Sequence, residues 1–577
     1  MFRYVRLPVR DVVLIWLVIL TAGCCYAQDR SQARSMVIST SGIVATSQTL
    51  ASQAGAQVLA RGGSAIDAAI AVNAVLGVVE PMNADIGGDL FAIYWDAKTD
   101  TLTGINASGW APAHLTIEHL KEKGLTKMPQ MGIDSVTVPG CVDGWAKLHQ
   151  RFGRLPWAEL FGPGIYFAKN GFPVTELIHE YWRKDAKALA VDKNGARVYL
   201  PIGSAPAVGQ IFRNPQLADA YELIAHGGTA AFYRGPIAAA ILRTSEEAGG
   251  TMRAEDLAEF SSEWVTPIST TYRGWKVYEL PPNGQGIATL EMLNIMERFP
   301  LGKLAPMSPE AWHVKIEAQK LAYQDLLRFV GDPRFSKLPV KELLSRDYAE
   351  KRAALIDEAR ARCEVAPGNP LPTAGETVYL SVVDRDGNIA SFIQSPYADF
   401  GSGVFVEGMG FHLQNRGAMF ELDPRHPNAL APRKRPLHTI IPGFMEKGSI
   451  RIGFGIMGGF NQAQAHAQFV SNVVDHGMNL QAALEAPRFV KYSFGGCDVQ
   501  IEGRVTPAAR AELARRGHQL RVRGDYSDAM GGGQSVMHDA VTGVNYGASS
   551  PRKDGAAVPE PAPYLGSSST VSKRVSP

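Results

Sequence analysis

The chain is 577 residues long, 45% hydrophobic and 20% charged, which excludes a largely disordered or fibrous protein and permits a large core in more than one layered unit. Its formal charge is +2. Taking off residues 1–27 as a leader removes Arg3, Arg6, Arg10 and Asp11 and leaves zero, so no electrostatic case for nucleic acid remains.

Residues 1–27 read as an export signal, with a basic start, an apolar run at 12–20 and small residues around Ala27. That run is too short for a membrane span. Thr21–Ala22–Gly23–Cys24 is similar to a lipoprotein box, which would place a lipid anchor on Cys24. The mature protein is therefore expected in the periplasm or outside the cell. It keeps Cys141, Cys363 and Cys497, widely spaced and odd in number. This is neither a disulfide framework nor CxxC metal spacing, and the chain is expected to be held by its core rather than by bridges. The sequence holds no HExxH, Walker A or GxSxG pattern.

Residues 43–47 predict a short strand. Leu50, Ala54 and Val58 recur at spacing four and predict a helix that Gly62 and Gly63 stop. Residues 65–78 predict a second helix, Ala-rich and apolar nearly all round, hence buried. A turn-rich loop at 80–89 leads into a strand at 90–95; it lines a site or simply connects elements, and the residues leave that open. Further helices are expected at 145–167, 236–247 and 309–330, with a strand at 275–280.

The stretch richest in chemistry begins at Glu376. Residues 377–383 are β-branched and apolar and read as a strand, Asp386–Gly387 as a hairpin turn, and 389–394 as the return strand. Upstream, residues 366–375 hold three prolines and no period, an exposed segment that ends abruptly at the threonine. A cut before Thr377 would put a hydroxyl nucleophile and an α-amine of pKa roughly 7.7–8.0 on one residue. The plainer reading is a strand-forming threonine behind an interdomain linker.

Residues 450–456 then predict a strand running through Met457–Gly458–Gly459–Phe460 into a helix at 462–475. Glycines at a helix N-terminus let backbone N–H groups approach a developing negative charge. Gly453–Phe454–Gly455–Ile456–Met457–Gly458 also fits GxGxxG, but no repeated βαβ series surrounds it, which disfavours a dinucleotide site. A hairpin is expected around Thr542–Gly543 and a loose tail after about Gly555.

An ordered set of motifs spans nearly the whole mature chain. It includes Gly42–Ile43–Val44–Ala45–Thr46–Ser47, Gly62–Gly63–Ser64–Ala65–Ile66–Asp67, Gly77–Val78–Val79–Glu80–Pro81 and Val138–Pro139–Gly140. Leu321–Ala322–Tyr323, Gly331–Asp332–Pro333, the Thr377 hairpin, Lys434–Arg435–Pro436 and Gly458–Gly459 follow. With these the chain resembles the gamma-glutamyltransferase family, in particular its hydrolase and acylase branch.

The resemblance implies an α+β fold, the four-layer αββα sandwich of N-terminal nucleophile hydrolases. It implies a precursor that cuts itself between Glu376 and Thr377 into a large subunit (28–376) and a small catalytic one (377–577) that stay together, with a dimer of these left open. Thr377 Oγ would attack an amide carbonyl with its own α-amine as base. Gly458 and Gly459 align with the family's oxyanion hole and Ser395 with the hydroxyl that contacts the nucleophile. The partner is a small-molecule amide, and no metal or organic cofactor is called for.

Around the substrate the alignment departs from the family. Its carboxylate-binding arginine falls on Ser108, an arginine common in this branch falls on Trp110, and its serine pair on His438 and Thr439. The three residues that hold the glutamyl amine fall on Tyr397, Arg416 and Met419. Met419 in place of an aspartate removes a charged partner worth about 1.5–3 kcal/mol to an ammonium. Loss of the arginine removes bidentate carboxylate recognition. Arg416, His438 and Thr439 either bind a carboxylate in another way or are ordinary packing residues. Residues 419–435 are also shorter than the lid-bearing version, which favours water over controlled transpeptidation. The resemblance thus implies a hydrolase of gamma-glutamyl amides such as glutathione. The alternatives are an acylase on another small amide, and an exported binding protein that neither cuts nor turns over.

Overall fold

The structure is a computed structural model that describes residues 32–364 and 376–563, without the side chain of Glu376. The expected leader, Cys24 and the proline-rich segment before Glu376 lie outside the described residues.

Two seven-stranded sheets carry the fold. The first runs in the order Ala556–Pro559, Ile43–Thr46, Glu376–Val383, Ile389–Tyr397, Asp89–Asp96, Thr101–Ala107, Glu263–Val265. The second runs Val37–Ser39, Val544–Ser549, Gly533–Asp539, Ile450–Ile456, Gly443–Lys447, Trp275–Glu279, Ile268–Tyr272. Along the Thr377 strand the side chains alternate. Tyr379 and Val383 join Phe444 and Val536 of the second sheet in one apolar layer. Val378, Leu380 and Val382 point the other way, into a core with Ile70 and Ala74. Helices cover the second sheet's outer face in turn, where Ile452 and Phe454 share a core with Ala288, Ala322 and Phe469. The result is the αββα sandwich, and a strand buried on both faces reads as an unbroken apolar run for that reason.

The helix Ala65–Val79 is buried at all fifteen positions, and Ser64 and Asp67 form a capping box at its start. The Ala65 amide donates to Asp384 at the far end of the Thr377 strand, at 3.1 Å. Asp384 also accepts from the Asp386 and Asn388 amides at 3.0 Å, which closes the hairpin turn. One carboxylate therefore fixes helix, strand and turn together.

Three expectations need correction. The helix expected over 145–167 is broken into Cys141–Phe152, a 3₁₀ turn Trp157–Phe161 and Gly162–Asn170, because Pro156 has no amide to continue it. The loose tail starts later than Gly555: Ala556–Pro559 pairs with Ile43–Thr46 and covers that sheet edge. Cys363 and Cys497, 134 residues apart in sequence, form a disulfide with their Cα atoms 4.8 Å apart. Spacing carried no sign of it, since the partners meet only where the segment after the helix Arg346–Ala353 runs beside the strand Asp498–Glu502. Cys141 is free and buried. No helix among the described residues is long and apolar enough to cross a membrane.

Candidate active site

Thr377 is fully buried in the middle of the first sheet, and the pairing with Ile389–Tyr397 shifts register between Glu376 and Val378. Such a bulge re-aims a side chain out of the regular ladder. Thr377 Oγ1 donates to Ser395 Oγ at 3.3 Å, the contact expected of Ser395. Gln462 Nε2 donates to Thr377 Oγ1 at 3.4 Å. Gln462 Oε1 accepts from the Ile441 amide at 3.0 Å, so its NH₂ end is the one turned to the Thr377 hydroxyl. Gln462 stands in the first turn of the helix Asn461–Val474, which brings that helix's N-terminus to Thr377. Directly before it Gly458 and Gly459 adopt φ of 117° and 58°, a left-handed pair that reverses the chain between strand and helix. The positive end of the helix dipole thus lies beside the Thr377 hydroxyl.

The residues after the Lys434–Arg435–Pro436 motif join this site to a charged group that sequence reasoning missed. Asp89, in register with Ser395 on the neighbouring strand, is buried and accepts four hydrogen bonds. Its Oδ1 takes the Gly109 amide at 2.8 Å, Gln414 Nε2 at 2.8 Å and the Gly140 amide at 3.3 Å. Its Oδ2 takes His438 Nε2 at 3.0 Å. Burial pushes its carboxyl up to about 7, against the lowering pull of Arg416 and the amide donors. Burial holds His438 well below the usual imidazole range, so it is neutral, with Nδ1 accepting from the Ile440 amide at 3.3 Å. Glycine is needed at 109 and 140 for close approach: a Cβ there would sit 1.7 and 1.9 Å from the carbonyl oxygens of Val138 and Ala107. The one visible signal for Asp89 was a charged residue opening an apolar strand after Gly87 and Gly88.

Arg416 is fully buried, and its guanidinium lies 4.5 Å from the ring centroid of Tyr397. Arg416 Nη1 donates to Thr439 Oγ1 at 2.7 Å. Burial lowers it to about 10, which leaves it cationic at neutral pH. Tyr397 has φ of 83°, a strained backbone for a non-glycine residue. Its amide donates to Ser395 Oγ at 2.8 Å. Gln285, also unforeseen, donates from Nε2 to the carbonyls of Thr439 and Gly459 and ties the two halves of the site together.

The expected contact Ser108 and the two departures Trp110 and Met419 are spoken for internally. Ser108 Oγ donates to Asn106 Oδ1 at 2.7 Å and accepts from Asn283 Nδ2 at 3.2 Å, so it braces a loop. Trp110 donates its indole N–H to the Asp256 carbonyl at 3.2 Å. Met419 is buried in the core cluster that holds Tyr397 and Phe460. A separate group, His313, Glu317 and His518, brings its ligand atoms within 4.8 Å of one another. The two imidazoles bond each other at 2.8 Å and Lys320 Nζ bonds Glu317 at 2.7 Å. A resident ammonium disfavours a cation there.

The gamma-glutamyltranspeptidase family model matches residues 51–560. A "Glutathione hydrolase-like YwrD proenzyme" of Bacillus subtilis is 38% identical over 527 residues, covering 90% of this chain and 99% of that protein. An "Oxamate amidohydrolase proenzyme" of Klebsiella pneumoniae is 34% identical over 533 residues, covering 90% and 98%. Among solved structures, a cephalosporin acylase from Bacillus halodurans superposes with a TM-score of 0.86 at 42% identity, covering 93% of this chain and 99% of that one. The sandwich, the buried Thr377 at its bulge and these matches over nearly the full length agree, and the chain belongs to the gamma-glutamyltranspeptidase family of enzymes.

Proposed function

We propose that this protein is an exported, self-processed threonine amidohydrolase that cleaves gamma-glutamyl amides such as glutathione and passes the acyl group to water more readily than to an amine. The observation that carries the reading is Thr377 Oγ1, buried between Ser395 and Gln462 at a glycine-led helix N-terminus. In processing, Thr377 Oγ adds to the Glu376 carbonyl and the Glu376–Thr377 C–N bond breaks. Water then hydrolyses the resulting ester and leaves a free α-amine on Thr377. In turnover that amine takes the hydroxyl proton as Oγ adds to the substrate carbonyl, and the Gly458 and Gly459 amides hold the oxyanion. The leaving amine departs with the proton, and water releases the acid from the ester.

Relatives named for glutathione hydrolysis and amide hydrolysis support this chemistry. Glutamate release from glutathione by the processed protein is the expected result of an amino-acid assay. Hydrolysis of other amides with no glutamate released would replace the gamma-glutamyl reading with the second one, an acylase on a non-glutamyl amide. That second reading is favoured by Ser108, whose hydroxyl is consumed by Asn106 and Asn283, and by Met419, which packs into the core.

The disulfide adds a consequence for the subunits. The proposed cut falls between Cys363 and Cys497, so the large and small subunits would be joined covalently after processing. A bridge of this kind also fits an oxidising compartment outside the cytoplasm. On a non-reducing denaturing gel the processed protein is expected to run as one band, and to split into two when thiol is added. Two bands without thiol would remove the bridge from the mature enzyme.

A further inference from the structure

A cavity of about 240 Å³ lies between the start of the helix Pro309–Phe329, the second half of the helix Asn461–Val474 and the segment 478–487. Part of its lining is apolar and half-buried, with Met307, Met478 and Pro487. Its most buried part carries Trp312 and Lys315, three residues apart on one helix face and 4% and 3% exposed. Lys315 Nζ makes no hydrogen bond and no ion pair among the described residues, and lies 6.0 Å from the centroid of the Trp312 ring. Trp312 Nε1 is likewise without a hydrogen-bond partner. The lining offers little in return. Gln468 is fully engaged: its Oε1 accepts from the Phe489 amide, and its Nε2 donates to the carbonyls of Gln464 and Phe489. Asp475, the carboxylate that acts on Lys315 through space, is committed to Tyr272 at 2.5 Å, to Ser471 at 2.7 Å and to Arg273. Burial pulls the Lys315 ammonium down to about 8, which still leaves it mostly charged at neutral pH. A buried charge with no partner is costly, and an anion brought into the cavity would relieve it.

We propose that this cavity is a second ligand site, which takes a small carboxylic acid with an apolar body: the carboxylate accepts from Lys315 Nζ and the body lies against Met307, Met478 and Ala482. A cavity of about 150 Å³ suffices for benzene, so the space here admits a ring with a short chain. The two thioethers are flexible and polarizable, and adapt to bodies of different shape. The site stands apart from Thr377. Gln462 touches the Thr377 hydroxyl, whereas Gln468 and Asn472 come six and ten residues later on the same helix, a rise of about 9–15 Å. The proposal therefore holds whatever amide the enzyme hydrolyses.

The test is titration calorimetry of the full chain at pH 7 with 3-phenylpropanoate, 3-phenylpropan-1-ol and 3-phenylpropylammonium, which share one body and differ in the end group. The carboxylate is expected to bind on the order of 10–100-fold more tightly than the alcohol, with the ammonium weakest. Lys315→Met keeps an unbranched apolar stem and removes the charge. It should cut carboxylate affinity at least about tenfold, leave the alcohol binding as before and raise Tm, since an unpaired buried cation is gone. Amide hydrolysis should be unchanged in this variant, because Lys315 touches none of the groups around Thr377. Failure of all three compounds to bind overturns the proposal, as does equal binding of carboxylate and alcohol by the wild type. So does a carboxylate advantage that survives Lys315→Met, because another cation would then be holding the acid.

Discussion

A chain carrying Thr377→Ala is expected to remain one uncut polypeptide and to hydrolyse no amide, with turnover down by on the order of 10⁴-fold or more. The same oxygen serves both reactions under the proposed mechanism, so both are lost together. Stability should change little by comparison. The hydroxyl makes two long bonds, 3.3 Å to Ser395 and 3.4 Å from Gln462, and each of those partners has a second contact to keep it in place. Intact mass and N-terminal sequencing check the first half: wild type should give a fragment beginning at Thr377, and the variant should not. Thr377→Ser should cut and turn over at reduced rate, because it keeps oxygen and amine but loses the methyl that restricts χ1. A wild-type chain that stays whole at neutral pH would sink the enzyme mechanism and leave the exported binding protein in its place.

The second large effect is expected at Asp89. Asp89→Asn presents one oxygen and one NH₂ where four donors converge from Gly109, Gly140, Gln414 and His438. In either orientation a donor meets a donor. Switching the His438 tautomer moves the conflict to the Ile440 amide, 3.3 Å from Nδ1. Leaving one such group unsatisfied costs about 1–3 kcal/mol. Above about pH 7, where the carboxyl is ionised, the substitution also removes the negative charge that stabilises buried Arg416 through space. We expect a lower Tm and a loss of kcat/KM of at least about tenfold, since the loops at Ser108, Gly140 and His438 lose their common anchor.

The pH dependence has a definite sign. The folded carboxyl is raised to about 7 from 3.8, so between those values the native state holds a proton that the unfolded chain has released. This group therefore favours the folded state most below pH 4, and its contribution falls as pH rises to 7 and is flat beyond. Melting curves of wild type and Asp89→Asn across pH 4–7 isolate it: the difference between them should shift over that window. An Asn variant that melts with wild type and keeps its rate would show that Asp89 organises nothing.

Much of this was legible in the chain. Residues 377–383 combine β-branched and apolar types with no polar alternation, and the strand proved to be covered on both faces. Asp386–Gly387 announced the turn, with Gly387 at φ of 84°. The expected starts of the helices at Ala65 and Pro236 were met because a capping serine in one case and a first-turn proline in the other act within a few residues. What escaped was non-local. Asp89 lies 349 residues from His438, and Gln462 lies 85 from Thr377. No local period or motif links such pairs, and a glutamine in the first turn of a helix is unremarkable until the fold sets the Thr377 hydroxyl against it.

Strand and helix placement and the glycine-led helix start follow from the order of residues, because they depend on periodicity, turn chemistry and caps that act over short separations, whereas Thr377 was singled out as the expected nucleophile by the family resemblance that the ordered motifs carry. The disulfide, the four-donor setting of Asp89 and the unpaired Lys315 do not follow from that order. Each depends on which groups the sandwich brings together and which it leaves without a partner, and burial gives those vacancies and contacts their energy.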